Sequence, residues 1–354
     1  MLWLAPSHPQ AASVYLTLMR VSFSAVALGV AIAAMVAAGC GGNPRVPLHP
    51  VGRVTNAASY RVVDATGPFW EFWRQAEGKP PEVQAELFKG IAVKAHPELF
   101  ANHVIGIDPS VKDKTLDHRL VGYLASLPSR LEAMHKISLS LGRDLKQYDA
   151  SFRATFPDMK WNGNVYFTVS IDAFDGALRK VDGKMALLFG IDKIAKIHGA
   201  DADLGALFHH ELFHVYQEDV NPRKEVPEDA PHGVLDPLWS EGLAVYVSKV
   251  MHPQATWKQI LLSDEMIEQT TTKLPKLAGE LRQHLDASTE EFYRDFFLGA
   301  GKRADVPIRC GYYMGFRIAE RAAKGRTLSE LARLAGPELR AIVDAVLAEW
   351  EAVN

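Results

Sequence analysis

Two histidines four positions apart enclose a glutamate in the segment His210-Glu211-Leu212-Phe213-His214. On a helix, residues i and i+4 lie on the same face, so both imidazoles can reach one metal ion. Glu211 follows His210 directly and points to the side of that ion, where it can accept a proton from a metal-bound water. The spacing therefore predicts a zinc centre with a general base beside it.

A second segment supplies a candidate for the third ligand. Residues 237–247 read PLWSEGLAVYV, which predicts a helix with Glu241 in its first turn, 27 residues after His214. A catalytic zinc site needs three protein ligands and one open position for water. The alternative, two surface histidines beside a solvated glutamate, does not account for this second segment. We interpret His209 as a helix neighbour, because using it in place of His210 would break the i, i+4 geometry.

Together the two segments resemble the gluzincin group of zinc metallopeptidases, which carry His-Glu-x-x-His on one helix and a glutamate ligand on the next. Residues 239–244, Trp-Ser-Glu-Gly-Leu-Ala, are similar to the Trp-x-Glu-Gly-x-Ala segment of the leukotriene-hydrolase and aminopeptidase branch. The chain also resembles bacterial zinc-dependent proteases of unknown substrate. The resemblance implies one zinc per chain held by His210, His214 and Glu241, with Glu211 as the general base and a peptide or protein as the substrate.

Two departures from related groups narrow the expected activity. Metzincins carry a third histidine six residues after the second, and that position is Val220 here. Aminopeptidases of the branch named above carry Gly-x-Met-Glu-Asn upstream. Residues 183–187 read Gly-Lys-Met-Ala-Leu and lack the glutamate that holds a substrate's free amine. We therefore expect a gluzincin-like metallopeptidase that is not an aminopeptidase.

A pair of tyrosines far downstream is a further candidate. Tyr312 and Tyr313 follow Glu241 by 71 and 72 residues and have glycines on both sides, at Gly311 and Gly315. Gluzincins commonly use a downstream tyrosine or histidine to donate a hydrogen bond to the developing oxyanion, so the resemblance implies this role for one of the two. The alternative is that both rings pack the start of a helix, since tyrosine is a common core residue with a polar tip.

The elements that must position these residues follow from apolar spacing. Residues 66–155 have helical periodicity, residues 165–171 and 185–191 are two short strand-like runs, and helical spacing returns beyond residue 201. This order predicts an α+β, mostly helical fold. It consists of a helical N-terminal region over residues 66–160 and a zincin-like catalytic region with a small sheet over residues 161–354.

The chain begins with a stretch typical of a targeting segment. Residues 21–38 are uncharged and largely apolar, follow Arg20 and precede Gly39 and Cys40. The small residues before Cys40 resemble the lipobox of bacterial lipoproteins, which implies a signal peptide over residues 1–39 and lipidation of Cys40. A Pro-rich spacer would follow over residues 40–65. The expected location is the cell envelope, at the outer membrane facing the periplasm; the alternative is an uncleaved anchor helix.

Charge excludes one class of partner. The chain has 39 Lys and Arg against 42 Asp and Glu, a formal charge of −3, so there is no broad basic field to hold nucleic acid. The expected partners are a peptide substrate and, through the lipid anchor, a membrane. The alternative function is a non-catalytic envelope lipoprotein with a zinc-stabilised fold and a binding or assembly role. Glu211 separates the two hypotheses, because a purely structural site has no need of a carboxylate beside the metal.

Overall fold

The computed structural model of the protein describes residues 54–56, 60–106, 116–222, 233–298 and 302–353. The predicted signal peptide, Cys40 and the first part of the spacer lie outside these residues. Within them, the buried apolar side chains form one continuous core that contacts both the N-terminal helices and the sheet.

The N-terminal part of the described chain is helical, as its periodicity predicts. Its helices are α1 (Gly67–Ala76), α2 (Pro81–Phe88), α3 (Asn102–Ile105), α4 (Leu116–Ser126) and α5 (Leu131–Thr155). Phe69 and Phe72 of α1 are fully buried, and Phe72 packs edge-on against Phe88 with ring centroids 5.1 Å apart. These rings therefore belong to the core of the N-terminal layer.

The described residues form one five-stranded sheet. Its strands are β1 (Val54–Asn56), β2 (Arg61–Asp64), β3 (Asn164–Thr168), β4 (Gly176–Val181) and β5 (Lys184–Gly190). The spatial order is β1-β2-β3-β5-β4. β2 and β5 run parallel to β3, whereas β1 and β4 are antiparallel to their neighbours. Gly176 pairs with Phe189, so β4 forms an edge of the sheet.

The chain after the sheet is helical. Its helices are α6 (Ile191–His198), α7 (Leu204–Val220), α8 (Leu235–Met251), α9 (Asp264–Thr272), α10 (Leu274–Gln283), α11 (Glu290–Tyr293), α12 (Cys310–Ala322), α13 (Leu328–Ala332) and α14 (Gly336–Glu351). Thr327 and Glu330 cap α13 reciprocally, since each side chain accepts a hydrogen bond from the other residue's backbone amide. Among the helices described here, none has the combination of length and apolar character that crossing a bilayer requires.

The α+β, mostly helical fold with a small sheet is confirmed, and the structure differs from the sequence prediction in the size of the sheet. Only β3 and β5 correspond to predicted strands. β1 and β2 lie within residues 40–65, where the composition predicts a spacer, and instead extend the sheet beyond β3. β1 and β2 are only three and four residues long, too short for alternation to separate them from an extended linker.

Candidate metal centre

Helix α7 is held on three sides. Asp203 begins it, with Oδ1 accepting a hydrogen bond of 3.0 Å from the amide of Ala206. Phe208 stacks on Phe189 of the sheet with centroids 5.7 Å apart. Tyr216 packs against Phe156 just beyond α5, at 4.5 Å. These contacts fix the rotation of α7, which decides where its histidines point.

Helix α8 brings Glu241 to α7. It begins at Leu235, so Glu241 lies in its second turn and not in the first turn as predicted. The Ser248 hydroxyl donates a hydrogen bond of 2.8 Å to the carbonyl of Ala206, which ties the two helices together. On its other side, α8 crosses α12 at Gly242. A methyl carbon there would lie 2.1 Å from the carbonyl carbon of Gly315, so the crossing requires two glycines.

Three potential ligand atoms converge between α7 and α8. Nε2 of His210 lies 3.2 Å from Nε2 of His214, and Oε2 of Glu241 lies 3.5 Å and 3.4 Å from these two nitrogens. Tetrahedral ligands at about 2.0–2.1 Å from a zinc ion are about 3.3–3.4 Å apart. The observed spacing therefore fits a single zinc ion, and within the described residues no other group of three His, Cys, Asp or Glu side chains has ligand atoms this close.

The protonation states suit a metal. Burial lowers the pKa of His210, which keeps its imidazole neutral. Burial alone would raise the pKa of Glu241, but its interactions with His214 and His210 outweigh that effect and hold the pKa well below its usual range. Neutral imidazoles and an ionised carboxylate are the forms that ligate zinc. Oε2 of Glu241 is buried and makes no hydrogen bond within the described residues, which fits an oxygen that would ligate a cation.

Glu211 lies beside the three ligands and under the edge of the sheet. A methyl carbon on Gly176 of β4 would lie 2.3 Å from the carboxyl carbon of Glu211, so the side chain packs directly on the strand's backbone. The pKa of this carboxyl is raised to about 8, mainly by burial; His214 opposes the shift, and Asp175 adds to it. The carboxylate is thus placed where sequence spacing predicts a general base.

The two tyrosines have different environments. Tyr312 is buried one helical turn before Gly315, whose backbone contacts Gly242, the residue after Glu241. Burial and then the charge of Glu241 raise its pKa well above the usual value. Tyr313 accepts a hydrogen bond of 3.0 Å from Arg317 and stacks parallel to Phe316, outside the group around Glu241. Adjacent residues of a helix point about 100° apart, so only one of the two can face the centre.

His209 belongs to a second group, which we call the anchoring cluster (Asp203, His209 and His252). Nε2 of His209 donates to the carbonyl of Tyr148 in α5 at 2.8 Å, and its Nδ1 lies 2.8 Å from Nε2 of His252. Nδ1 of His252 lies 3.5 Å from Oδ2 of Asp203. The expectation that His209 is a helix neighbour and not a ligand agrees with these contacts.

Several side chains at the centre were not singled out from the sequence. Arg309 precedes α12 and contacts the Tyr312 ring, with its guanidinium carbon 4.1 Å from the ring centroid. Asp175 is buried, and although burial opposes it, His198 and then Arg309 lower its pKa to about 2. The only sequence signal for Arg309 was its position three residues before Tyr312. No motif in the sequence distinguishes Asp175 or Gly176.

Fold and site together define a helical α+β protein with a candidate His-His-Glu metal centre and an adjacent carboxyl group. The family model described as "Putative zinc dependent peptidase (DUF5700)" matches residues 155–334, half of the chain, and the protein belongs to this family. The match runs from the end of α5 to α13 and includes both helices of the centre. Neither a curated protein nor a solved structure matches the chain.

Proposed function

We propose that the protein is a zinc-dependent peptide-bond hydrolase of the gluzincin type, with one zinc per chain. The observation that supports this best is the convergence of His210, His214 and Glu241 at 3.2–3.5 Å with Glu211 next to them. Family membership supports zinc and peptidase activity at a coarser level. A structural zinc site is closed by four protein ligands, whereas three ligands leave a position for water.

Each of the chain's own residues at the centre would have a separate role in peptide-bond hydrolysis. Zinc held by His210, His214 and Glu241 would supply Lewis acidity toward a water molecule and the scissile carbonyl. Glu211 takes the proton of the attacking water on its carboxylate and returns it to the leaving amine. Tyr312, which is buried one turn before the point where α12 crosses α8 next to Glu241, donates its hydroxyl proton in a hydrogen bond to the developing oxyanion.

Replacing Glu211 with glutamine tests the proposal. Zinc content should stay at one per chain, because Glu211 is not a ligand, whereas hydrolysis of a peptide library by the zinc-loaded protein should fall by about 10²- to 10⁴-fold. Metal analysis and mass spectrometry of the products measure the two effects. A wild-type protein that holds zinc and cleaves no peptide would favour the non-catalytic, zinc-stabilised alternative.

The tyrosine assignment has a matched pair of variants. Tyr312→Phe should lower turnover by about 10²-fold or more with zinc content unchanged, a loss typical of removing an oxyanion donor. Tyr313→Phe should leave turnover near the wild-type rate, because its hydroxyl contacts Arg317 on the outer side of α12. Equal turnover for wild type and Tyr312→Phe would show that Tyr312 has only a packing role.

We also propose that the protein is a lipoprotein of the cell envelope, anchored through Cys40 to the outer membrane and facing the periplasm. The support is the uncharged segment 21–38 and the small residues before Cys40. Metabolic labelling with a palmitate analogue should mark the wild-type protein and not Cys40→Ser. Equal labelling of the two would reject the anchor.

A further inference from the structure

The start of α12 lies beside the metal centre because of the helix crossing described above. The backbones of α8 and α12 touch at Gly242, which is the residue after Glu241, and at Gly315. Tyr312 is three residues before Gly315, and Arg309 is one helical turn earlier still, immediately before the first residue of α12. The crossing therefore carries the Arg309 side chain to the side of the centre where Glu241 and Tyr312 lie.

Arg309 is held in an unusual conformation. Its backbone is left-handed, with φ 59° and ψ 26°, a region that non-glycine residues seldom occupy. Its guanidinium lies over the Tyr312 ring, 4.1 Å from the centroid. Strained backbone conformations concentrate at binding and catalytic sites, where the surrounding structure has to enforce them. Here the strain and the ring contact fix the direction of the guanidinium.

Arg309 has no anionic partner in the described part of the chain. Its Nε is buried and makes no hydrogen bond there, and no carboxylate of the described residues forms an ion pair with it. Asp175 and Glu241 attract it from a distance only. Other arginines are paired: Arg130 binds Asp172, and Arg303 binds both Glu280 and Asp305. A buried donor without a partner is costly unless a ligand completes it.

We propose that the Arg309 guanidinium binds a carboxylate of the substrate next to the metal centre, so that preferred substrates are peptides carrying a carboxylate close to the scissile bond. A guanidinium is planar and presents paired donors that match a carboxylate. The carboxylate is either the C-terminal group or an Asp or Glu side chain. This inference rests on the proposed function for the cleavage reaction. The selectivity for carboxylate-bearing peptides rests on Arg309 alone.

The test uses a randomised hexapeptide library without acidic residues, in a free-acid form and a C-terminally amidated form. A third library is amidated but contains Asp and Glu. The zinc-loaded wild-type protein should cleave at least one of the two carboxylate-bearing libraries about 10²-fold faster than the amidated library without acidic residues. Faster cleavage of the third library than of the plain amidated one identifies a side-chain carboxylate as a ligand. The same slow rate for both amidated libraries identifies the C-terminal group.

Arg309→Gln should remove the preference, so that the three libraries are cleaved at similar rates, and Arg309→Lys should retain part of it because the charge is kept without the paired donors. Arg321→Gln is the matched control, since Arg321 lies further along α12, where it pairs with Glu349 and stacks on Trp350. A wild-type protein indifferent to carboxylates would overturn the proposal. So would an Arg309→Gln variant that slows all libraries equally.

A binding measurement separates this proposal from the proposed function. Zinc-loaded Glu211→Gln protein is incubated with each library, and the retained peptides are identified by mass spectrometry. Retention of carboxylate-bearing peptides that Arg309→Gln abolishes in the same background supports the site even if no peptide is ever cleaved. Equal or absent retention of all libraries overturns the site, while cleavage by the wild-type protein would still support the hydrolase.

Discussion

Helix α7 takes part in two clusters of the same composition, each with two histidines and one carboxylate. The metal centre consists of His210, His214 and Glu241, and the anchoring cluster consists of Asp203, His209 and His252. In the metal centre the three ligand atoms face one another at 3.2–3.5 Å. In the anchoring cluster His209 uses both ring nitrogens in hydrogen bonds, one of them to the carbonyl of Tyr148 in α5.

The difference shows what makes a metal site. The two clusters contain the same kinds of side chain, and His209 of the anchoring cluster is adjacent in the chain to His210 of the metal centre. A ligand atom must be unprotonated and must not already be bonded to protein. Nε2 of His209 is committed to a backbone carbonyl, and Oδ1 of Asp203 caps α7. The anchoring cluster therefore holds α5, α7 and the end of α8 together, which supports the geometry of the metal centre.

The largest expected effect is a difference in zinc affinity between variants of the two carboxylates, Glu241 and Asp203. Glu241→Gln should weaken zinc binding by more than about 10²-fold, since loss of a ligand exceeds the 10- to 100-fold cost of losing an outer partner. Asp203→Asn should leave zinc affinity within a few-fold of wild type, because asparagine also caps helices. Competition with a fluorescent zinc chelator measures both affinities. Equal weakening in the two variants would mean that the clusters do not have separate roles.

A smaller effect concerns the stability that the anchoring cluster provides. His252→Ala removes the partner of Nδ1 of His209 and leaves a buried acceptor unsatisfied, which should cost about 1–3 kcal/mol in the free energy of unfolding. Urea unfolding with a chelator present measures this change in the free energy of unfolding without a contribution from zinc binding. His103→Ala, at an exposed position in α3, is the control and should change stability by less than about 0.5 kcal/mol. Loss of zinc stoichiometry in His252→Ala would show that the clusters are coupled.

The smallest expected effect concerns how the free energy of unfolding decreases at acid pH. His252 lowers the pKa of Asp203 below its ordinary value of 3.8. An aspartate whose pKa is lower in the folded state stabilises the fold above pH 3.8, and this contribution is lost as the pH falls through the folded pKa. Asp203→Asn should therefore lose less stability than wild type between about pH 5 and about pH 3. Parallel urea titrations at these values test it, and identical losses would contradict the assignment.

The centre could be predicted in part because its information is local. Spacing of four residues on a helix places His210 and His214 together in any fold that forms the helix. The approach of Glu241 required the contact between α7 and α8, for which the sequence offered only a second helical segment of suitable composition. β1 and β2 could not be predicted, since strands of three and four residues gain their stability from the neighbouring β3 and not from their own pattern.

The sequence by itself determined the α+β class, the helix that carries His210 and His214, and the carboxyl group of Glu211 next to them, because these depend on residue identity and short-range periodicity. Only the tertiary structure decided that Gly176 lies over Glu211, and that Tyr312 and Arg309, at the start of α12, are brought toward the helix that carries Glu241. Those placements depend on the backbone contact of α8 with α12 and on the edge position of β4. The physical reason is that long-range packing sets the rotation and approach of whole elements, which no local pattern encodes.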